Sequence, residues 1–223
     1  MSGRTTMHRH DVRTSTAPLS RDPGSSRGPA PPQPGLRRLI GADLDAMCEG
    51  LRVTGPRLLA RIALHVRWRA VIYWRLAQAW MHSPLTRPVA LALTSRILSI
   101  CGAELQPAAR IGPGLVLKHT TGLVVGGGVM AGRRLTLHQN VTLGDRVPYG
   151  GQPRLGDDVT IGAGACVLGP ILIGDRVTVA ANSVVLSDVP SDCVVAGAPA
   201  KIVRRTDGPT KGAATSAHPS SRL

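Results

Sequence analysis

His119 is the residue whose type and surroundings best fit a chemical role. It lies in a short polar segment, 118–122 (KHTTG). An accessible imidazole changes its protonation near neutral pH, so His119 could act as a general base on a hydroxyl group. Glu104, which precedes it in the chain, could bind one ring nitrogen and leave the other to take the proton. His138 is the second candidate base, and an ordinary surface histidine is the alternative without a function.

Two alanines in similar surroundings are candidates for a binding surface. Ala163 stands in a GAG segment and Ala181 stands in an AAN segment. If the backbone repeats at the interval that separates them, the two alanines stack on one edge. Small side chains there would leave backbone groups accessible to an extended ligand. Tight packing at a turn explains the same residues without any ligand.

A six-residue repeat is the element that would position these side chains. Thirteen aliphatic residues follow this spacing in two runs: Leu105, Ile111, Leu117, Leu123, Val129, Leu135 and Val141, then Leu155, Ile161, Val167, Ile173, Val179 and Val185. A strict period of six fits neither a helix nor separate strands. It is typical of a parallel β-helix, in which three repeats form one triangular coil and the aliphatic residue points inward. Glycines follow four of these residues, which suits corners with unusual backbone angles: Gly112, Gly156, Gly162 and Gly174.

The repeat shifts its register between Val141 and Leu155, where the chain has two residues more than two repeats would need. The intervening sequence, from Gly144 to Pro153, is rich in glycine and proline. Such residues favour turns. We predict a loop that leaves the β-helix at a corner, and loops on rigid scaffolds often carry binding residues.

Residues 37–103 are predicted to be helical. One helix would run to about Leu51 with Asp43 or Asp45 in its first turn, a second would start after Pro56 and cover 57–81, and a third would cover about 89–100. The second helix carries arginines and four of the five aromatic residues, Trp68, Tyr73, Trp74 and Trp80. Packing against the rest of the protein is one interpretation of this helix. Peripheral contact with a membrane surface is the other.

Composition bounds the remaining possibilities. The chain is 43% hydrophobic, yet it has no phenylalanine and only 2% aromatic residues, which suits a narrow β-helical interior. The net charge of +14 comes almost entirely from arginines. These arginines form no basic stripe interleaved with aromatic residues, which disfavours nucleic acid as a partner. An anionic ligand or a membrane surface fits the charge better.

The termini and the cysteines indicate a cytoplasmic protein without a metal site. Residues 1–36 and 206–223 are rich in Pro, Gly, Ser and Thr and are predicted to be disordered. We expect neither a secretory signal nor a transmembrane segment. Four distant cysteines match no metal-binding or disulfide spacing. The predicted fold is therefore mainly β, a β-helix over 104–205 preceded by a small α-helical region.

Two further motifs join the repeat, 119–126 (HTTGLVVG) and 195–203 (VAGAPAKIV). With them the chain resembles the hexapeptide-repeat acyltransferases, above all serine O-acetyltransferases and their exopolysaccharide-biosynthesis relatives. The match covers about Glu104 to Arg205. It implies a left-handed parallel β-helix, acetyl-CoA as the acetyl donor, and a role in cysteine biosynthesis. It also implies a homotrimer or a dimer of trimers, with active sites between neighbouring prisms.

The resemblance also assigns roles to residues. His119 would be the general base that activates the acceptor hydroxyl for direct attack on the thioester. Glu104 would replace the family's aspartate as its partner. The predicted acetyl-CoA contacts are Gly144, Ala163, Ala181, Lys201 and Arg204, with the two basic residues near the phosphates.

Two departures from the family concern the acceptor. Lys118 stands where serine acetyltransferases have an aspartate, and Gly151-Gln152 stand before Pro153 where they have an Arg-His pair. The family's loop is also two residues longer. The replaced groups bind the amino group and carboxylate of serine. The predicted acceptor is therefore serine or a sugar hydroxyl. A non-catalytic β-helix that binds a partner or a membrane is the alternative from another class.

Overall fold

The computed structural model describes residues 34–48 and 55–206. Its four helices are α1 (Leu36–Met47), α2 (Pro56–Leu64), α3 (Val66–Trp80) and α4 (Arg87–Cys101). One continuous helix is predicted over 57–81, but His65 has an extended backbone (φ −100°, ψ 116°) and separates α2 from α3. Asp43 lies beyond the first turn of α1, contrary to the prediction. The predicted disordered termini fall almost wholly outside the described residues.

Fifteen short strands follow the helices. They are β1 (Glu104–Leu105), β2 (Arg110–Ile111), β3 (Val116–Leu117), β4 (Val124–Val125), β5 (Met130–Ala131), β6 (Thr136–Leu137), β7 (Thr142–Gly144), β8 (Arg154–Leu155), β9 (Thr160–Ile161), β10 (Cys166–Leu168), β11 (Leu172–Ile173), β12 (Thr178–Val179), β13 (Val184–Val185), β14 (Cys193–Gly197) and β15 (Ala200–Arg205). Sheet 1 is β1-β4-β7-β10-β13, sheet 2 is β2-β5-β8-β11, and sheet 3 is β3-β6-β9-β12-β14-β15. From β1 to β13, successive strands visit the three sheets in turn. The predicted parallel β-helix is confirmed, and β15 ends it by pairing antiparallel to β14.

The interior is a narrow column of aliphatic side chains. All thirteen residues predicted to point inward are buried, and none exposes more than 5% of its surface. A second buried row stands two residues before the inward residue of many strands, as with Val159 before Ile161. Side chains alternate across a strand, so residues i and i−2 share the inward face. Branched and small residues fill both rows, which accounts for the absence of phenylalanine.

The first register shift lies earlier than predicted. Leu105 pairs with Val125, and Leu117 pairs with Leu137, so the first coil is two residues longer than three six-residue repeats. Two residues are therefore inserted between Leu117 and Val125. From Leu123 to Val141 the predicted repeat follows the second inward row, and it returns to the first row at Leu155. The prediction of a single shift between Val141 and Leu155 is wrong because both rows are aliphatic.

The predicted loop between β7 and β8 is present and larger than expected. Ala131 pairs with Leu155, and Leu155 in turn pairs with Ile173. The chain from Ala131 to Leu155 is six residues longer than the chain from Leu155 to Ile173. The loop therefore adds six residues to its coil. Six residues equal one repeat, so the spacing concealed the loop, and the shift of two seen in the sequence is the return from the second inward row to the first.

Each coil turns at three corners, which we name by their residues. The histidine corner, between sheets 3 and 1, comprises 118–122, 138–140, 162–164 and 180–182; the ion-pair corner, between sheets 2 and 3, comprises 112–114, 132–134, 156–158, 174–176 and 190–192; the loop corner, between sheets 1 and 2, comprises 106–108, 126–128, 144–153 and 168–170.

Arginine and aspartate side chains connect the coils along the ion-pair corner. Three pairs bridge neighbouring coils: Arg133 with Asp157, Arg134 with Asp158, and Arg176 with Asp192. The Arg134 hydrogen bond lowers the pKa of the Asp158 carboxyl below its usual range, and burial opposes this shift. The Arg176 hydrogen bond likewise lowers the pKa of Asp192. These carboxylates therefore stabilise the stack when they are ionised.

The glycines after the inward residues have a different role from the predicted one. A Cβ atom at Gly162 would lie 2.6 Å from the backbone nitrogen of Ala181 on the next coil. Gly112, similarly, would approach the carbonyl oxygen of Gly132 within 2.6 Å. Positive φ angles occur elsewhere, for example at Gly122 (68°) and Asn140 (56°). Close stacking of coils, rather than an unusual backbone angle, requires glycine after the inward residue.

Helices α1 and α3, together called the helical cap, close the first coil. Arg75 of α3 is fully buried and donates to the Asp43 carboxylate of α1 (2.8 Å) and to the carbonyl oxygens of Ile111 and Gly112 (2.8 Å each). Asp43 in turn accepts hydrogen bonds from the N–H groups of Gly114 and Leu115, both at 2.8 Å. The pair thus forms hydrogen bonds with backbone groups of the first coil, which would otherwise have no partner at this end of the β-helix.

The burial of two tryptophans favours packing over membrane contact as the interpretation of 57–81. Trp68 and Trp74 each expose 1% of their surface, and Trp74 donates its indole N–H to the carbonyl oxygen of Gln106 (3.1 Å). These indoles pack on the β-helix and cannot also insert into a bilayer. Among the described residues, no helix has both the length and the apolar character needed to span a membrane.

Candidate active site

His119 lies on the two-residue insertion of the histidine corner. Lys118 donates its N–H to Leu137 (2.9 Å), and Asn140 donates its N–H to Thr121 (2.9 Å). Lys118 and Thr121 therefore each have a neighbour in the next coil, whereas His119 and Thr120 are the added pair. Thr120 is buried and His119 is exposed. The insertion thus holds the imidazole outside the prism.

Glu104 begins sheet 1 next to the same corner. Gly122 donates its N–H to Gly102 (2.8 Å), and Glu104 donates its N–H to Leu123 (2.8 Å), so 102–104 and 122–124 run side by side. The exposed carboxylate of Glu104 accepts a hydrogen bond from Gln106 Nε2 (2.9 Å). Glu104 therefore lies beside the end of the segment that carries His119, at the edge of the same corner.

His138 lies on the second segment of this corner. The backbone register sets it beside Lys118, and it donates its N–H to Ile161 (3.2 Å). Its side chain is partly exposed. Two residues separate its position from the insertion that carries His119, so the two imidazoles are not equivalent in the stack.

Ala163 and Ala181 continue the column above Thr121 and Gln139. Gly164 donates its N–H to Gln139 (2.9 Å), and Asn182 donates its N–H to Ala163 (2.8 Å). Neighbouring coils are about 4.8 Å apart, so Ala181 lies roughly 14 Å along the stack from the His119 segment. Ala181 is exposed and Ala163 partly so. The corner presents a surface of small side chains long enough for an extended ligand.

Lys201 and Arg204 lie on β15, where the column ends. Lys201 pairs with Ala196, which follows Val195, and Val195 accepts the N–H of Ala180 (2.8 Å). Lys201 is therefore at the histidine corner, one strand beyond the last alanines. Arg204 pairs with Val194, farther back along sheet 3. Both side chains are exposed, which places two cations at the far end of the alanine surface.

Gly144, the remaining predicted contact, lies elsewhere. It ends β7 at the opposite side of sheet 1, and its carbonyl oxygen accepts the N–H of Gly169 (2.9 Å). A Cβ atom at Gly144 would meet no atom within 4 Å. Within one chain, the structure therefore places His119, the alanines and Lys201 at one corner, with Glu104 on the strand that adjoins it, but not Gly144.

The side chain of Gln152 is directed into its own loop. Its Oε1 accepts the N–H of Gly128 (2.8 Å), and its Nε2 donates to the Asp145 carboxylate (3.2 Å). The loop tip is open, since Tyr149 and Val147 are exposed. Gln152 therefore fixes the loop to the preceding coil, a role that its position before Pro153 does not reveal.

Gln106 is the neighbour of the candidate site that the sequence reasoning missed. It contacts both Glu104 and Trp74. The available signal was the period of two in a strand, which puts residues 104 and 106 on one outward face. Among the described residues, no group of three or more His, Cys, Asp or Glu side chains could hold a metal ion.

Known proteins share both the repeat and the fold. The family described as "Bacterial transferase hexapeptide (six repeats)" matches residues 153–187. Serine acetyltransferase 2 of Arabidopsis thaliana is 46% identical over 118 residues, which cover 52% of this chain and 36% of the relative. The chain spans between about a third and about half of the length of the curated relatives it matches.

Two solved structures extend the similarity to most of the chain. Serine acetyltransferase from Brucella abortus strain S19, in complex with coenzyme A, is 35% identical with a TM-score of 0.67, over 76% of this chain and 68% of that one. Soybean serine acetyltransferase complexed with serine is 39% identical with a TM-score of 0.67, over 75% of this chain and 69% of that one. The chain belongs to the hexapeptide-repeat acyltransferase family, together with these serine acetyltransferases.

Proposed function

We propose that the chain is an acetyl-CoA-dependent O-acetyltransferase that acts on serine, with His119 as general base. One observation carries the proposal: a single corner holds an exposed histidine and, above it, a column of small residues that ends at a lysine. The relatives whose structures contain coenzyme A and serine support this donor and this acceptor.

The donor would extend along the histidine corner. Pantetheine is long, thin and rich in amide groups, which suits the surface at Ala163 and Ala181. Lys201 and Arg204 supply positive charge at the end of that surface, where phosphates would bind. The reactive thioester would then lie at the opposite end, near His119.

The reaction would proceed by direct transfer. His119 takes the proton of the acceptor hydroxyl as its oxygen attacks the thioester carbonyl carbon. The tetrahedral intermediate collapses, the carbon–sulfur bond breaks, and the thiolate of CoA recovers the proton from His119. Glu104 would accept a hydrogen bond from the second ring nitrogen, and this bond would keep the imidazole in the reactive tautomer and stabilise its protonated form.

A homotrimer would complete the site. Apart from Glu104 and Thr142, the outer face of sheet 1 is largely apolar and partly exposed, with Val124, Cys166, Leu168, Val184 and Leu186 on it. Apolar surface of this kind favours association. The histidine corner and the loop corner border this face at opposite sides. Packing of a second copy against it would bring the loop corner, with Gly144, to the histidine corner of its neighbour.

A sugar hydroxyl is the second candidate acceptor, because the groups that serine acetyltransferases use for the amino acid are replaced here. Gln152 is engaged by Gly128 and Asp145, so its amide is occupied within the loop. Lys118 carries a positive charge next to His119. This charge disfavours a substrate ammonium group at that position.

The test is an acceptor panel. Purified full-length protein is incubated with acetyl-CoA and either L-serine, a set of mono- and oligosaccharides, or no acceptor, and thiol release is recorded. Serine-dependent release with O-acetylserine as product is expected. D-serine and L-threonine serve as matched controls for recognition of the α-carbon substituents.

Each outcome selects one function. Release that depends on a saccharide and not on serine would assign the second acceptor. If no acceptor in the panel raises thiol release above the rate measured without acceptor, the acetyltransferase proposal fails and a binding scaffold is favoured. Mass spectrometry of the product separates O-acetylation from hydrolysis of acetyl-CoA.

A further inference from the structure

Glu104 lies on the first coil, at the edge of sheet 1, so its strand pairs with a neighbouring coil on one side only. That strand, β1, has two residues and follows α4 directly after Gly102 and Ala103. The side chain is exposed. A free glutamate side chain samples several rotamers, so a carboxylate that must face one imidazole needs a neighbour that restricts it.

Gln106 is that neighbour. Residues 104 and 106 point to the same side of the strand, and Gln106 Nε2 donates to Glu104 Oε1 at 2.9 Å. A hydrogen bond to a charged carboxylate is stronger than one between neutral groups. The amide therefore favours one orientation of the Glu104 carboxylate.

The backbone of Gln106 is itself held on two sides. Its N–H donates to Val125 on the next coil (3.0 Å). Its carbonyl oxygen accepts the Trp74 indole N–H (3.1 Å) and the N–H of Ala109 (3.1 Å). Pro107 follows and restricts the conformation of Gln106. Trp74 is buried, and its neighbour in α3 is the arginine of the buried ion pair.

We infer that Gln106 is a positioning residue for Glu104, and that through it the helical cap orients the carboxylate that serves His119. The inference rests on the proposed function, since it assigns Gln106 a role in that reaction. Trp74 of α3 is the contact through which the cap acts, because its indole N–H holds the carbonyl group of Gln106.

The test is a double-mutant cycle on thiol release, with Gln106→Leu, Glu104→Gln and the double variant. Loss of the amide lets Glu104 populate other rotamers, so Gln106→Leu should lower kcat about five- to tenfold and leave KM for acetyl-CoA unchanged. In the Glu104→Gln background the same substitution should change kcat by less than about twofold, because Gln106 acts through Glu104.

Gln78→Leu is the matched control. Gln78 of α3 also joins the helical cap to the first coil, since it donates to the carbonyl oxygen of Ala109 (2.5 Å) and accepts from Arg75 (3.2 Å), and its loss leaves the hydrogen bond between Gln106 and Glu104 in place. At assay temperatures below its own unfolding transition, the Gln78→Leu variant should have the same kcat as the wild type. If Gln106→Leu and Gln78→Leu lower kcat equally, weaker packing of the helical cap on the first coil explains the effect of Gln106→Leu, and the inference fails.

The remaining outcomes separate the inference from the function. Additive effects in the cycle, or wild-type kcat in Gln106→Leu, overturn the role of Gln106 while the acetyltransferase activity stands. An inactive wild-type protein overturns the proposed function and the inference with it.

Discussion

The histidine corner and the ion-pair corner are made by the same coils in different ways. On the ion-pair corner, charged side chains bridge from coil to coil, as Arg134 does to Asp158. On the histidine corner, the stacked positions above Thr121 hold Gln139, Ala163 and Ala181, and backbone hydrogen bonds join the segments. One corner is cross-linked by side chains, and the other presents a surface of mostly small residues.

The difference shows how a repeat separates stability from chemistry. The inward aliphatic rows and the ion pairs hold the coils together. The alanines of the histidine corner are exposed or partly exposed, and an added pair of residues there carries His119. A functional group on a rigid scaffold keeps its geometry without contributing to the core.

The largest effect should come from His119→Ala on the histidine corner. General bases contribute about 10²- to 10⁴-fold to rate, so kcat for thiol release should fall by that range while the thermal unfolding temperature stays the same. His138→Ala, on the next coil, should reduce kcat less than about tenfold. The reverse order of the two variants would assign the base to His138.

Next in size is Asp43→Ala, which disrupts the ion-pair corner where the helical cap joins it. Arg75 would remain buried without its partner, which costs about 3–5 kcal/mol in the free energy of unfolding. Urea denaturation followed by circular dichroism measures this loss. Asp45→Ala, in the same helix but exposed, should change stability by less than about 0.5 kcal/mol. Equal effects would contradict the role of the buried pair.

A smaller effect is expected from Ala181→Leu, which fills the surface of the histidine corner. The larger side chain should raise KM for acetyl-CoA about tenfold with little change in stability, because Ala181 is exposed. Ser187→Leu, also exposed and after β13, is the control for added apolar surface. An unchanged KM in Ala181→Leu would place the donor elsewhere.

The smallest effect concerns pH and the ion-pair corner. Arg134 holds the pKa of Asp158 below its usual range, so the stabilisation is present above the unfolded pKa of about 3.9 and is lost as pH falls through the folded value. Asp158→Asn should lower the unfolding temperature by about 1–3 °C at pH 7 and by less at pH 2. Thermal scans at both pH values check this. If the wild type and Asp158→Asn differ in unfolding temperature as much in acid as at pH 7, the charge of Asp158 is not the source of the stabilisation.

The β-helix was predictable because its signal repeats. Thirteen inward residues follow one spacing, and all are buried. The register was harder, since residues i and i−2 face the same interior and both are aliphatic. The insertion at His119 and Thr120 was therefore hidden, although His119 itself was identified from its residue type and its polar neighbours.

The helical cap could not be derived from spacing. Asp43 and Arg75 are far apart in the sequence and lie on different helices, and nothing in either segment indicates that they meet. The Trp-bearing, arginine-rich sequence of α3 fits a membrane surface as well as a protein interior. Three-dimensional packing favours the interior, because Arg75 pairs with Asp43 inside the protein and Trp74 donates to the carbonyl oxygen of Gln106.

The coil lengths have a consequence for how such a protein can change. Relative to the coil from Leu155 to Ile173, others are shorter by two, longer by two or longer by six residues, and every difference is an even number. A tight corner that gains two residues returns the chain to its next strand with the same side chains inward, whereas a gain of one would turn them outward unless a bulge absorbed it. An insertion of an even number of residues therefore leaves the inward side chains of a β-helix in place. A surface residue such as His119 can be added as one member of an inserted pair, with no repacking of the core.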